Sequence, residues 1–327
     1  MLRKMMISTV LLVLFLTGCA PASAPTEPPA PVATEIPATE AVVVEAPAVE
    51  EIKFTDALGD EIVLTETPQR IISLAPSITE ILFEIGAGGQ VVGRTDYCDY
   101  PEEVKDLPSI GGFSAEAISL ETIISLEPDL VIGGSIYQAE VIKALADAGI
   151  PAFVSQPANL AEIKDSLGLI GQITGHVDEA QTSADEMQAR IDAVTAAVSA
   201  VPADQRPTVF YEVWHEPLMS ANGKTVVGEL IDLAGGVNMF ADLPDEYPTV
   251  SVEQIVEVDP QFIIGPSSHG DQMTAEVIGK REGWGNLSAV KNNAIHIVDG
   301  NIVSHASPRI VIVLEEFAKI LHPDLFK

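Results

Sequence analysis

Cysteine is almost missing from this chain: Cys19 and Cys98 are the two in 327 residues. Two cysteines supply neither a disulfide framework nor a Cys-rich metal site. The six histidines are scattered, none with a close partner at metal-ligand spacing. Positive charge is scarce as well: 17 Lys and Arg against 48 Asp and Glu give a formal net charge of −31. That balance excludes a protein built to grip nucleic-acid phosphates and opposes adsorption on anionic lipid heads. Enzyme signatures are missing too, with no Gly-x-Ser-x-Gly elbow, no phosphate loop ending in Gly-Lys-Ser/Thr and no His-Glu-x-x-His. Gly86-x-Gly88-Gly89 stands between a helix and a strand, the wrong context for a dinucleotide. The apolar run from Met5 to Leu16 is too short to span a membrane, which takes about 20 residues.

What the chain does have is a repeat. The segment Ser119 to Gly133 returns as Ser251 to Gly265 at a constant offset of 132, without a gap. In each copy a Ser caps a helix, a Glu (Glu121, Glu253) sits in the first turn where the helix dipole favours it, and apolar residues follow at helical spacing. Pro128 and Pro260 then end the helix, and an apolar strand closes on Gly. One helix-to-strand unit in each half predicts two related lobes, with function between them.

The chain begins with an export signal, residues 1–19, in which Arg3 and Lys4 precede the apolar run and Leu16-Thr17-Gly18-Cys19 follows it. That tetrapeptide is similar to a bacterial lipobox, which implies cleavage before Cys19 and its lipidation. Residues 20–51 are almost entirely Ala, Pro, Thr, Val and Glu, a composition that predicts a disordered, extended linker. An N-terminal α/β lobe is expected over 52–175. Residues 176–200 carry Ala180, Ala184, Met187, Ile191, Val194 and Val198 at helical spacing and predict one long connector helix packed on both lobes. A C-terminal α/β lobe follows over 201–327. Ser77 to Glu80 has the form of a capping box opening a helix, and Ser307-Pro308 that of a cap and first turn. The fold class expected is α/β, with two pseudo-symmetric lobes of parallel sheet joined by that helix.

Parallel sheets bind ligands at the carboxyl ends of their strands. The loops there carry Ser77, Tyr97, Phe113, Gly133, Tyr137, Trp214, His215, Tyr247, His269 and His305, rich in aromatics in a chain that is only 5% aromatic. Apolar walls with a few polar groups are the usual build of a small-molecule cleft. Cys98 reads as a packed loop residue.

Arg70 to Glu80, Val92 to Pro101, Ile110 to Phe113, the two repeats, Leu233 to Gly236 and Ser307-Pro308-Arg309 together form one ordered pattern. It resembles the substrate-binding lipoproteins of ABC importers for cobalamin and iron siderophores, over about residues 68–322. The resemblance implies a shallow inter-lobe cleft with little hinge motion, and is nearest to the corrinoid-binding branch. By position, Tyr97, Phe113 and Tyr247 match aromatic residues lining that ligand site, and Trp214 falls beside another. Tyr137, His305 and Arg309 complete the candidate set. Some cobalamin binders carry Trp where this chain has Phe113 and Tyr247, which keeps siderophores open. Arg94, Lys224 and Arg309 are the basic residues on candidate rim loops, few for an anionic siderophore. Glu121 and Glu253 are implied to dock on Arg residues of the permease. No cofactor is expected. The partners implied are a permease dimer with its ATPase subunits, a small-molecule ligand and a membrane through the N-terminal lipid, for a monomer on the extracytoplasmic side that binds no nucleic acid. A haem or metal carrier, or a surface-anchored enzyme on the same scaffold, is the alternative.

Overall fold

A computed structural model of the protein describes residues 51–267 and 273–327. The export signal, Cys19, nearly all of the expected linker and His269 lie outside the described residues. The described chain opens with an antiparallel hairpin of β1 (Ile52–Thr55) and β2 (Glu61–Leu64). Asp56 holds its turn. One carboxylate oxygen accepts from the N–H groups of Leu58 and Asp60, and the other accepts from Val154 at 3.0 Å, pinning the hairpin to the lobe beneath.

The N-terminal lobe follows as β3 (Ile71–Ser73), α1 (Pro76–Glu84), β4 (Val91–Arg94), α2 (Leu120–Ser125), β5 (Leu130–Gly133), α3 (Ala139–Asp147) and β6 (Ala152–Val154). Its four strands are all parallel, in the order β4-β3-β5-β6. Two helices come next, α4 (Leu160–Thr174) and α5 (Val177–Val198). The C-terminal lobe comprises β7 (Thr208–Tyr211), a small hairpin of β8 (Trp214–His215) and β9 (Leu218–Met219), α6 (Val226–Leu233), β10 (Val237–Asn238) and α7 (Val252–Val258). It continues with β11 (Phe262–Pro266), α8 (Ala275–Gly279), α9 (Ser288–Lys291), β12 (Ile295–Val298), α10 (Gly300–Val303) and α11 (Ile310–Leu321). Its parallel sheet runs β10-β7-β11-β12.

Numbered within each lobe, both sheets have the order 2-1-3-4, and the repeated strand is third in each. The sequence repeat is therefore a topological one. Ser119 and Ser251 cap α2 and α7 as expected, and Ser251 with Gln254 completes a capping box. Ile123 and Ile255, again 132 apart, are both fully buried beneath their helices.

The 22-residue α5 spans about 33 Å at ~1.5 Å per residue. Ala180, near its start, belongs to the core of the N-terminal lobe with Leu167, Ile170 and Ile173 of α4. Met187, Ile191 and Val194 belong to the core of the other lobe, with Leu230, Leu314 and Phe317. Full burial of such side chains stabilises by roughly 1.5–3 kcal/mol each, so one helix is fastened to both cores. The antiparallel α4 doubles it, placing Leu160 and Ile163 in the C-terminal core. The Leu160 N–H also donates 2.8 Å to the Glu229 carboxylate on α6.

Two expected caps differ. α1 starts at Pro76 with Ala75 as N-cap and no side-chain cap, so Ser77 and Glu80 lie inside the helix. α11 starts at Ile310 with Arg309 as N-cap, and the Ser307 hydroxyl goes to Glu80 instead. In both places a partner on the other lobe outcompetes a local backbone N–H, because a buried carboxylate demands strong donors.

Candidate functional site

A sheet ordered 2-1-3-4 reverses direction between its first and third strands, and a crevice opens at the carboxyl ends there. In this protein the two crevices face each other. Beyond β3 and β5 come Ser77, Gly134 and Ser135; Val213 follows β7 and Pro266 ends β11. All five line one cleft of about 450 Å³ between the lobes. Phe113, Tyr137, Gln156 and Pro157 complete the N-terminal wall. Tyr211, Tyr247, Val226, Val227 and Ile310 are prominent on the opposite wall, with Val303, Ser304 and Ala306. Among the described residues, no Asp, Glu, Lys, Arg or His lines this cleft.

The N-terminal wall is held by side-chain amides. Gln138 is fully buried and reaches three segments at once. Its Nε2 donates to the Leu74 carbonyl at 2.7 Å and the Phe113 carbonyl at 3.2 Å, and its Oε1 accepts from the Gly134 N–H at 3.0 Å. Gly134 has to be glycine, since a Cβ there would stand 2.3 Å from that of Ala75. Gln156 accepts from the Ile136 N–H at 2.6 Å, fixing the turn that carries Tyr137.

On the other wall Tyr247 is flanked by two backbone hydrogen bonds. The Glu246 carbonyl accepts from Asn222 at 2.8 Å and the Pro248 carbonyl from Ser220 at 3.0 Å. Strand alternation turns Tyr211 and Val213 toward the cleft. Glu212, between them, is fully buried and pairs with Arg281 at 2.6 Å. Burial pushes the Glu212 carboxyl up, against the pull of Arg281. Burial likewise raises the Tyr247 phenol, with smaller contributions from Glu246 and Tyr137. The Tyr211 phenol is pushed far up by burial and by Tyr247. Both are neutral hydroxyls at physiological pH. The described part of the wall can therefore offer aromatic faces and a few uncharged hydrogen-bonding groups.

Of the residues picked out from sequence for the ligand site, Ser77, Phe113, Tyr137 and Tyr247 line the cleft, and Tyr97, Gly133, Trp214, His215, His305 and Arg309 stand outside the lining. Tyr97 is 63% exposed, outside the lining. Trp214 is in β8, its indole N–H donating 2.7 Å to the Glu216 carbonyl and its ring 5.0 Å from that of His215. His305 and Arg309 face Glu80 at 2.9 and 3.0 Å. Of the rim bases, Arg94 donates to the carbonyls of Thr95 and Lys105. Cys98 is buried between the hydroxyls of Thr79 and Thr95, and burial pushes its thiol up. Sequence reasoning missed Gln138, Gln156, Tyr211, Val226 and Val227. Among the described residues no group of three or more His, Cys, Asp and Glu is placed to hold a metal ion.

Two α/β lobes of matched topology, fastened by a long helix and enclosing a neutral aromatic cleft, define a solute-binding protein. Residues 71–301 match the periplasmic binding protein family, and the chain belongs to that family. It is 30% identical over 281 residues to the uncharacterized ABC transporter substrate-binding lipoprotein YvrC of Bacillus subtilis, covering 84% of this chain and 87% of that one. It is also 30% identical over 237 residues to a vitamin B12-binding protein of Yersinia pestis, covering 68% of this chain and 82% of the relative. Among solved structures it is similar to a possible iron-binding periplasmic solute-binding protein from Staphylococcus epidermidis. That likeness has a TM-score of 0.70 and 29% identity, and covers 79% of this chain and all of the other. The fold expected from sequence, two pseudo-symmetric α/β lobes on one connector helix, is the fold found. No helix of the described residues is long and apolar enough to cross a membrane.

Proposed function

We propose that this protein is the extracytoplasmic binding component of an ABC importer that captures a corrinoid, a cobalamin-like molecule, between its lobes. The observation that carries the reading is the cleft wall: among the described residues it presents aromatic, aliphatic and hydroxyl groups from both lobes, without a formal charge. A cobalt corrinoid edged by neutral amides suits such a wall, its apolar rim against Phe113, Tyr137 and Tyr247 and its amides toward the serines and Gln156. An anionic catecholate chelate, or the propionates of haem, would call for Arg or Lys there. The similarity to the vitamin B12-binding protein of Yersinia pestis supports the same choice. A ferric siderophore is the second reading, favoured by the likeness to the Staphylococcus epidermidis protein, and an uncharged hydroxamate chelate would fit the wall best.

Binding proteins of ABC transporters work with membrane permeases and their ATPase subunits. The monomeric protein would be tethered through lipidated Cys19, hold the ligand, and present both lobes to the permease dimer through Glu121 and Glu253. Tyr97, Trp214, His305 and Arg309 would shape the rim and the junction around the site rather than stack on the ligand. In this reading the protein captures its ligand and hands it on unchanged.

The test is calorimetric titration of the protein with cyanocobalamin, a ferric hydroxamate and haemin. Saturable one-to-one binding of cyanocobalamin is expected; binding of a ferric chelate or haemin alone overturns the corrinoid reading. Replacing Cys19 with Ser should abolish lipid labelling in cells, and retained labelling would remove the tether.

A further inference from the structure

Glu80 stands on α1 in the N-terminal lobe, yet among the described residues every side chain that donates to its carboxylate comes from the other lobe. Oε1 accepts from His305 Nδ1 at 2.9 Å and from Arg309 Nη1 at 3.0 Å; Oε2 accepts from Ser307 Oγ at 2.5 Å. A carboxylate only accepts, so His305 Nδ1 carries the proton of that bond. The group is dry: Ser307 is fully buried, and the side chains of Glu80, His305 and Arg309 are 2%, 14% and 19% exposed. The Arg309 guanidinium also lies 3.5 Å over the ring of Tyr100, back on the N-terminal lobe. Beside it, Asn301 donates to the Asp99 carboxylate at 3.2 Å. Two separate segments of the first lobe thus close on one stretch of the second.

The position of this cluster gives it a role. Ser77, one turn before Glu80 on α1, lines the cleft. Ser304 and Ala306, which alternate with His305 and Ser307, line it from the other side, as does Ile310 beside Arg309. The latch therefore lies behind the cleft lining, and its bond lengths set how far apart those parts of the two walls stand. A buried ion pair is a poor source of net stability, because desolvating both charges offsets their attraction. Its value is geometric: three directional, charge-assisted bonds tolerate one arrangement.

We propose that Glu80 is a positioning residue that presets the cleft, holding the lobes at their ligand-bound separation before any ligand arrives. The deep connector packing limits how far the lobes could hinge, and the latch removes what freedom remains. Binding then needs no closure step, and affinity is not taxed by the population of an open state. The idea that the cleft binds a ligand rests on the function proposed above; the lobe separation does not.

The experiment follows the separation directly. Full-length protein in detergent carries spin labels on Lys143→Cys and Lys280→Cys, exposed positions on opposite lobes with side chains 78% and 74% accessible. Buried Cys98 stays unlabelled, and Cys19 is blocked by its lipid or, in unlipidated protein, replaced by Ser. Electron–electron double resonance on ligand-free protein should give one narrow distance distribution. Glu80→Ala should broaden it without loss of helical signal, and Glu80→Gln, which keeps shape but not charge, should lie between. Ser307→Ala and Arg309→Met should act in the same direction, and they decide the matter if Glu80→Ala does not fold. Saturating cyanocobalamin should leave the wild-type distribution unchanged and narrow that of Glu80→Ala, whose affinity falls at least tenfold. Folded latch variants as narrow as wild type would overturn the proposal. Failure of wild type to bind cyanocobalamin would count against the corrinoid reading alone, since the ligand-free distances decide the latch.

Discussion

The side-chain amide of Gln138 donates to the main-chain carbonyl of Leu74 at 2.7 Å, joining residues 64 apart in sequence. Leu74 directly follows the first strand of its sheet and Gln138 follows the third, so the bond spans the point where the strand order reverses. With its bonds to Phe113 and Gly134, the same amide sets the spacing of the three segments that form much of one cleft wall. Substituting Gln138 with Leu keeps the volume and strands three backbone groups in a dry site. Each such group costs on the order of 1–3 kcal/mol when left unpaired, with partial relaxation expected. Thermal unfolding should show a loss of about 2–4 kcal/mol. Ligand affinity should fall as well, measured well below the melting point. An unchanged melting temperature would show that the three segments find their places without the amide.

The cleft aromatics make a sharper comparison. Phe113, Tyr137 and Tyr247 line the cleft, whereas Tyr97 and Trp214 lie outside the lining. Alanine at each of the first three should weaken cyanocobalamin binding by about 1–3 kcal/mol, roughly 5- to 150-fold. Alanine at Tyr97 or Trp214 should change it less than threefold. Calorimetry on the five variants checks this. Equal losses in both groups would place the ligand further out on the rim than the cleft lies.

The fold was legible in the sequence because its signals are local and repeated. Proline-terminated helices, apolar strands and the 132-residue offset each survive without tertiary information, and Met187, Ile191 and Val194 marked the connector face. The site was legible only in part. Tyr211 sits at the end of an apolar strand, and sequence alone does not say which alternate side chains face ligand and which face core. Gln138 is a buried polar residue whose three partners are backbone groups, and no pattern in the chain announces it. Glu80 and Ser307 were readable only as helix-start signals, because a Ser-x-x-Glu spacing is a good local rule. Their real partners are each other, 227 positions apart. The resemblance points to the cleft between the lobes, and of its aromatic positions Phe113 and Tyr247 stand in the lining while Tyr97 and Trp214 stand outside it.

Acid should loosen the junction of the connector with the last helix. Arg190 on α5 bonds the Glu315 carboxylate of α11 at 2.7 Å, and that hydrogen bond holds the Glu315 carboxyl below its ordinary value. A carboxylate depressed in the folded state contributes its stability above its unfolded pKa and loses it as pH falls through the folded one. The contribution is thus full at neutral pH and drains away below the usual carboxylate range. The Glu315→Gln variant should therefore melt slightly below wild type at pH 7 and converge on it in acid. Both partners are partly exposed, so salt should shrink the gap. Parallel melting curves across the whole pH range would mean the pair contributes nothing.

The proposed docking role of Glu121 and Glu253 rests on the repeat. Glu121 and Glu253 are exposed in the first turns of α2 and α7, and each has an exposed apolar neighbour three residues on: Ile124 at 51% and Val256 at 44%. Helices that cross over between parallel strands run antiparallel to them, so both helix starts lie at the carboxyl edge where the cleft opens. Complementing a helix dipole accounts for about 0.3–1 kcal/mol at each Glu, but needs no solvent-facing Ile or Val beside it. A carboxylate next to an apolar side chain, presented once per lobe, is what a two-fold partner bearing basic residues could grip at two equivalent points. Glu121→Ala and Glu253→Ala should each leave cyanocobalamin affinity and melting temperature nearly unchanged. In proteoliposomes containing the permease, each should weaken binding about fivefold, roughly 1 kcal/mol, and the paired variant should be worse. Ile124→Ser with Val256→Ser should weaken docking further, since the apolar contacts supply affinity where the carboxylates mainly steer and orient. Wild-type uptake by the doubly substituted Glu variant would return both residues to helix capping and leave the permease contact to be sought on another face.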